Sequence, residues 1–282
     1  MKKYTLLFFF IMATAGMKAS EFIFDKEYYE CENKWVVFPK LNEQDSTHIY
    51  GFVYLDREAG FTFRYEGNLN IDNDGKINAV PVEQTTNLLY RIPNDFTRLA
   101  ILSSKEIEEI GEQEQPEWLH VYTEKENEVS DLVKRGYHYN HIGACDMAIP
   151  LLEKAYEKAP HVHGVEFELS YAYNATGKYN EAIELLKLAL KNNPEYGLFY
   201  RELGYAYIKT DNLKEAEKVY KEGIDISDDD TEKAEMAFNV AGAYWKMKNK
   251  TEFKKWAKLV REYATTDSFY IFNLDKMEVD FK

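Results

Sequence analysis

The sequence predicts an α+β multidomain protein, with an N-terminal antiparallel β-domain followed by an α-α superhelical solenoid. Three observations carry this expectation. Short aromatic and β-branched runs, separated by turn residues, occupy the stretch after Ser20. Small residues then recur at a fixed step through the C-terminal half. The first residues match neither pattern, because two lysines precede an apolar run from Leu6 to Met12.

Composition sets the outer bounds. The 282 residues suffice for two domains of ordinary size. A hydrophobic content of 45% and an aromatic content of 15% argue against a disordered chain. Acidic residues outnumber basic ones 49 to 35, for a net charge of -14. Such a surface repels phosphate backbones, so no nucleic-acid partner is expected.

Residues 1–20 have the three-part layout of a secretory signal peptide. Lys2 and Lys3 lead, the apolar run follows, and Ala13, Ala15, Gly16, Ala19 and Ser20 supply small residues. The apolar run is too short to span a bilayer, so no stable membrane insertion is expected after signal removal. The expected location is the bacterial periplasm or the exterior. Cys31 and Cys145 are the two cysteines, and either a bridge or two separate buried thiols fits that setting.

Residues 21–112 form the expected β-domain. "KWVVFP", "THIYGFVYLD", "GFTFRYEGNLNID" and "KINAVPVE" are short and partly alternating, which predicts hairpins or a small barrel. Asn70, Asp72, Asp74 and Gly75 imitate the start of a calcium loop, but the twelfth position is Pro81, where a glutamate is needed. A hairpin turn with positive φ at Asp74-Gly75 explains the same residues. Ser103 and Glu106 have capping-box spacing and open a short helix ending near Gly111. Residues 113–128 read as a connector with a short helix around Trp118.

From 129 onward the chain repeats. Ala148, Ala182 and Ala216 are spaced by one step (182 − 148 = 34). The same step links Ala155, Ala189 and Gly223, then Gly136, Ser170 and Gly204, then Tyr139, Tyr173 and Tyr207, and it takes Pro160 to Pro194. Small residues are required where two helices cross closely, and prolines where a helix ends. The units are 129–162, 163–196, 197–230 and a degenerate 234–263, whose extra residues are assigned to the polar loop "SDDDT". Residues 264–282 are expected to cap the last helix through Phe269, Phe272 and Leu274. Pro150 is expected at the edge of a helix's first turn, with Asp146 as N-cap.

These units resemble the tetratricopeptide repeat. The resemblance implies that the first helix of each unit lines a concave face that binds a protein or peptide. It places Tyr137, Tyr171 and Tyr205 in one row of that face, and Asn140, Asn174 and Ile208 in a second. Val133, Phe167, Arg201 and Phe238 form a third row, with Lys134, Glu168 and Glu202 beside it. The asparagines are expected to pair with a bound peptide backbone. The Lys/Asn/Arg clamp of chaperone-binding repeats is absent, since its sites carry residues such as Val133, Tyr137 and Glu168.

The function expected is non-catalytic binding of a protein or peptide, without cofactor or metal. Nucleophile-elbow, phosphate-loop and zinc motifs are missing. His138, His141, His161 and His163 lie close in sequence but lack matching cysteine or carboxylate spacing. The alternative is an enzyme with an unrecognised site in the β-domain, its repeats recruiting substrate.

Overall fold

The computed structural model describes residues 22–40, 42–82 and 87–281. The expected signal segment lies outside these residues. The chain divides into two compact units between Leu119 and His120.

The N-terminal unit is an antiparallel sheet of six strands. They are β1 (Lys34–Val37), β2 (His48–Asp56), β3 (Gly60–Ile71), β4 (Ile77–Pro81), β5 (Leu88–Arg91) and β6 (Ala100–Ile101). The order is β4-β3-β2-β1-β6, with β5 also paired to β3. This path is open at both ends, so the described strands form a sheet and not a barrel. β5 and β6 are short and carry no alternating pattern, which hid them from the sequence reading. The central strand β2 is buried along most of its length, because both faces of the sheet are covered. On one face Phe38 packs on Phe63, with centroids 4.4 Å apart, and Tyr28 packs on Phe61 at 5.4 Å. On the other, Trp118 packs edge-on against Phe52 and Tyr54.

Residues 113–119 therefore do more than connect. The Trp35 indole N–H donates to the Gln113 carbonyl at 2.8 Å, and the Arg64 guanidinium lies 4.4 Å from the Trp118 ring. The same arginine pairs with Glu66 at 2.7 Å. Glu66 is the extra residue of a bulge, where the register slips between Tyr50 and Gly51.

The expected turn at 72–76 is present, but Gly75 alone takes a left-handed φ, at 80°. The Asp72 carboxylate accepts from the Asp74 and Lys76 amides, and the Asp72 carbonyl accepts from the Gly75 amide. A three-residue loop closed by a left-handed glycine needs only one such residue. Ser103 caps the first helix, α1 (Ser104–Glu109), in a reciprocal box with Glu106.

The C-terminal unit opens with one short turn, α2 (His120–Thr123). Four antiparallel pairs follow: α3 (Val129–His141) with α4 (Cys145–Lys158), α5 (Val165–Ala175) with α6 (Tyr179–Asn192), α7 (Gly197–Lys209) with α8 (Leu213–Ile226), and α9 (Asp230–Lys246) with α10 (Lys250–Tyr263). α11 (Phe269–Val279) closes the stack against α9 and α10. The small residues sit at the crossings. A Cβ on Gly136 would lie 2.4 Å from Leu152, and one on Gly204 would lie 2.3 Å from Tyr220. Ala148, Ala182 and Ala216 are fully buried. Each pair turns through one left-handed residue: Gly143 at φ 80°, Gly177 at 79°, Asp211 at 60° and Lys248 at 55°.

Three expectations are revised here. The extra residues of the fourth unit do not lengthen a loop. Asp229 caps α9 by accepting from the Thr231 and Glu232 amides, so the additional residues extend the start of that helix. α4 begins at Cys145, with Ala144 at the N-cap, which leaves Pro150 inside the helix instead of in its first turn. In α11, Leu274 is fully buried, but Phe269 and Phe272 are 69% and 60% exposed. One face of a helix this short suffices to cover its neighbours, and the two phenylalanines lie off that face. Cys31 and Cys145 are both free and buried, and burial pushes the Cys31 thiol up to about 12.

Candidate functional site

The first helices of successive units touch one another in the order α3, α5, α7, α9 and form one wall. Two neighbouring cavities open along it. The first, about 200 Å³, is lined by Tyr137, Asn140, His141, Phe167, Glu168, Tyr171 and Arg201. The second, about 300 Å³, is lined by Tyr171, Asn174, Ala175, Arg201, Glu202, Tyr205 and Glu235. Nine of the thirteen residues placed on or beside the three rows thus line two adjoining cavities, while Ile208 and Phe238 line a separate one of about 660 Å³ and Lys134 lines none of these. Val133 lines none either, because it packs against the cluster of Leu132, Ala155 and Val165.

Helical spacing explains the grouping. Residues three and four apart share a helix face, so Tyr137, Asn140 and His141 project together from α3, as Tyr171, Asn174 and Ala175 do from α5. Tyr137 and Tyr171 remain 46% and 39% exposed. A large aromatic left half-exposed on an inner wall offers apolar area and a polar tip to a ligand.

The asparagines behave differently from expectation. Asn140 Nδ2 donates to the Glu168 carbonyl at 2.9 Å and to Glu168 Oε2 at 2.8 Å. One unit later, Asn174 Nδ2 donates to the Glu202 carbonyl at 3.0 Å and to Glu202 Oε2 at 2.9 Å. Their donors are spent on tying one unit to the next, each carbonyl accepting on its second lone pair because the first serves the i+4 amide of its own helix. The acceptor ends, Asn140 Oδ1 and Asn174 Oδ1, are buried and have no hydrogen-bond partner.

Charge is concentrated here too. The Arg201 guanidinium donates to Glu202 Oε1 at 3.0 Å and lies 3.9 Å from Glu235. It also lies 5.7 Å from the Phe167 ring. Burial, then the charge of Glu202, raises the Glu168 carboxyl above the usual range, against the Asn140 hydrogen bond and His141. Burial likewise raises Glu235, with Arg201 opposing. Glu235 and His141 were missed from sequence. His141 adjoins Asn140 and could have been found by its i+4 relation to Tyr137, on which its ring stacks at 5.8 Å. Glu235 could not, because the lengthened start of α9 shifts it out of the repeat register.

The other candidate features fall elsewhere. His161 pairs with Glu166 at 3.1 Å, and the described residues hold no group of three or more metal-ligating side chains. A cavity of about 430 Å³ in the β-unit is walled by Phe38, Phe63, Tyr65, Tyr90 and Phe96, with Asn68 and Arg91 as its polar residues. Its lining contains no acid, histidine, cysteine or serine.

A family profile described as tetratricopeptide repeat matches residues 143–195 and 173–238. Residues 143–238 are tetratricopeptide repeats. The matched residues include α5 and α7 of the wall that carries both cavities, and helix pairs run from Val129 to Tyr263. Among solved structures, TTC0263, a thermophilic TPR protein of Thermus thermophilus, is similar at 20% identity and a TM-score of 0.47, covering 55% of this chain and 84% of that one. MamA MSR-1 C2 is similar at 25% identity and 0.41, covering 49% and 79%. MamA 41-end from Desulfovibrio magneticus RS-1 is similar at 14% identity and 0.44, covering 58% and 83%. The search of curated proteins finds no match.

Proposed function

We propose that this protein is an exported, non-catalytic adaptor that binds a protein or peptide along the wall formed by α3, α5, α7 and α9. The observation that carries the reading is the row of Tyr137, Tyr171 and Tyr205, which spans two adjoining cavities with carboxylates at their base. Aromatic side chains in such positions supply much of an interface's energy when a partner desolvates them. Of two β-unit cavities, the one of about 430 Å³ has no acid, histidine, cysteine or serine in its lining. The other, of about 320 Å³, has Lys40, Asp45, Ser46 and Thr47 in its lining, so the binding reading rests on the tyrosine row. Export rests on the layout of residues 1–20.

The test is capture of partners by the mature chain. Changing Tyr137, Tyr171 and Tyr205 together to Ala should weaken capture more than about tenfold, roughly 1.4 kcal/mol, with helical circular dichroism unchanged. A folded triple variant that retains the same partners would overturn the groove reading. For export, the mature N-terminus should map between residues 16 and 21, and an intact Met1 in a soluble cytoplasmic fraction would sink that part.

A further inference from the structure

Resting on the groove reading above, we infer that the first cavity is a subsite for one arginine side chain of the bound partner, received by Glu168 between Tyr137 and Tyr171. The template is internal. Glu168 and Glu202 occupy the same place in successive units, and each accepts on Oε2 from the asparagine of the preceding helix, at 2.8 and 2.9 Å. On Glu202 the other oxygen, Oε1, is taken by the Arg201 guanidinium, at 3.2 Å from Nε and 3.0 Å from Nη2. That guanidinium also lies 5.7 Å from an aromatic ring, Phe167.

The residue one unit before Arg201 is Phe167 itself, so the chain supplies no cation at the matching place. No lysine or arginine lies within ion-pair distance of Glu168 among the described residues, and its Oε1 has no partner there. Beside it, Asn140 is 4% exposed and lines the cavity, holding the Glu168 carboxylate through Nδ2 as Asn174 holds Glu202. A carboxylate oxygen is an acceptor, and a guanidinium is all donors. Its planar fork binds a carboxylate while its face stacks on aromatic rings, which an ammonium does less well. The cavity, about 200 Å³, has a half-exposed tyrosine at each side.

The experiment uses the full mature chain and four pools of labelled nine-residue peptides. The pools are randomised except for a central arginine, citrulline, lysine or norleucine, and binding is read by fluorescence anisotropy. The arginine pool should bind at least about tenfold tighter than the citrulline pool, which has the same shape without the charge, and tighter than the lysine pool. Glu168→Gln keeps an acceptor for Asn140 and should remove the arginine preference while the norleucine pool is unaffected. Glu184→Gln, at an exposed carboxylate of α6 outside both cavities, should leave the preference in place. Equal binding of the arginine and citrulline pools, or an arginine preference that survives Glu168→Gln, would overturn the inference. If peptides bind and the Tyr137, Tyr171 and Tyr205 triple variant abolishes that binding, the groove reading stands even when the arginine subsite fails. If the triple variant binds as well as the parent chain, the groove reading itself has failed.

Discussion

At the residue scale, the site is decided by what each polar side chain is already doing. Asn174 ties α5 to α7 through two hydrogen bonds in a buried setting. Its change to Ala should cost about 1–3 kcal/mol, because both of these buried hydrogen bonds to Glu202 are lost. Urea unfolding would show this as a lower midpoint at constant slope, and a change below about 0.3 kcal/mol would contradict the assigned role. Glu168 sets a pH dependence. A cationic ligand binds its ionised form, and burial has raised its pKa. Affinity is therefore fully present above that raised value and lost as pH falls through it, starting at a higher pH than for an exposed glutamate near about 4.3. The groups around it are His141 and Tyr137 on α3, Cys145 on α4, Tyr171 on its own helix, Tyr196 ahead of α7, and Arg201 and Glu202 on α7. The affinity of an arginine peptide should fall as pH drops through the raised Glu168 value, and Glu168→Gln should remove that fall. An identical profile in the variant would argue against Glu168 as the receiving group.

At the element scale, each pair must turn tightly and cross closely. The close crossing was legible at Gly136 and Gly204, whereas the tight turns at Gly143 and Gly177 are shown by the structure. The turns were illegible at Asp211 and Lys248, which adopt φ of 60° and 55° without being glycine. Lysine has no local hydrogen bond to offset a left-handed conformation, whereas aspartate tolerates it better. Lys248→Gly should therefore raise stability by about 0.5–1 kcal/mol, and Asp211→Gly by less. An equal or opposite ranking in thermal melts would refute the strain argument. Gly204→Ala should do the reverse. Alanine favours a helix by about 1 kcal/mol, but its Cβ would stand 2.3 Å from the Tyr220 ring, which is fully buried. Overpacking of that kind costs about 1–3 kcal/mol, so net destabilisation is expected, and a melting temperature above that of the parent chain would contradict it.

At the scale of the whole molecule, the two compact units are expected to fold independently. Residues 120–282 should keep their helical circular dichroism when produced alone, since each helix pair is buried against its neighbours and α11 closes the last one. A fragment that is largely unfolded at room temperature would show that the solenoid depends on the β-unit. Net charge gives a second expectation. With -14 charges on the chain, a basic peptide is drawn in at long range, and its association rate should fall as salt rises from about 0.01 to 0.15 M, over which the Debye length shrinks from about 30 to 8 Å. A rate independent of salt would leave contact alone as the driving force. No helix among the described residues is long and apolar enough to cross a membrane.

The sequence by itself determined the helical half, its step and its inner wall. A fixed step repeats the same crossing, so one unit read correctly places all its counterparts, and Tyr137, Tyr171 and Tyr205 followed from that. It also determined the capping box at Ser103 and the main strands, where alternation and turn residues are local signals. Only the tertiary structure decided what depends on partners far along the chain. It assigned the amides of Asn140 and Asn174 to the next unit's backbone, 28 residues on. It turned residues 113–119 into cover for the sheet through Trp118, added β5 and β6, and brought Glu235 to Arg201 by extending α9 at its start. None of these has a local pattern. Each is fixed by which buried donor, ring or charge lies opposite once the chain has packed, and a one-dimensional step does not encode that.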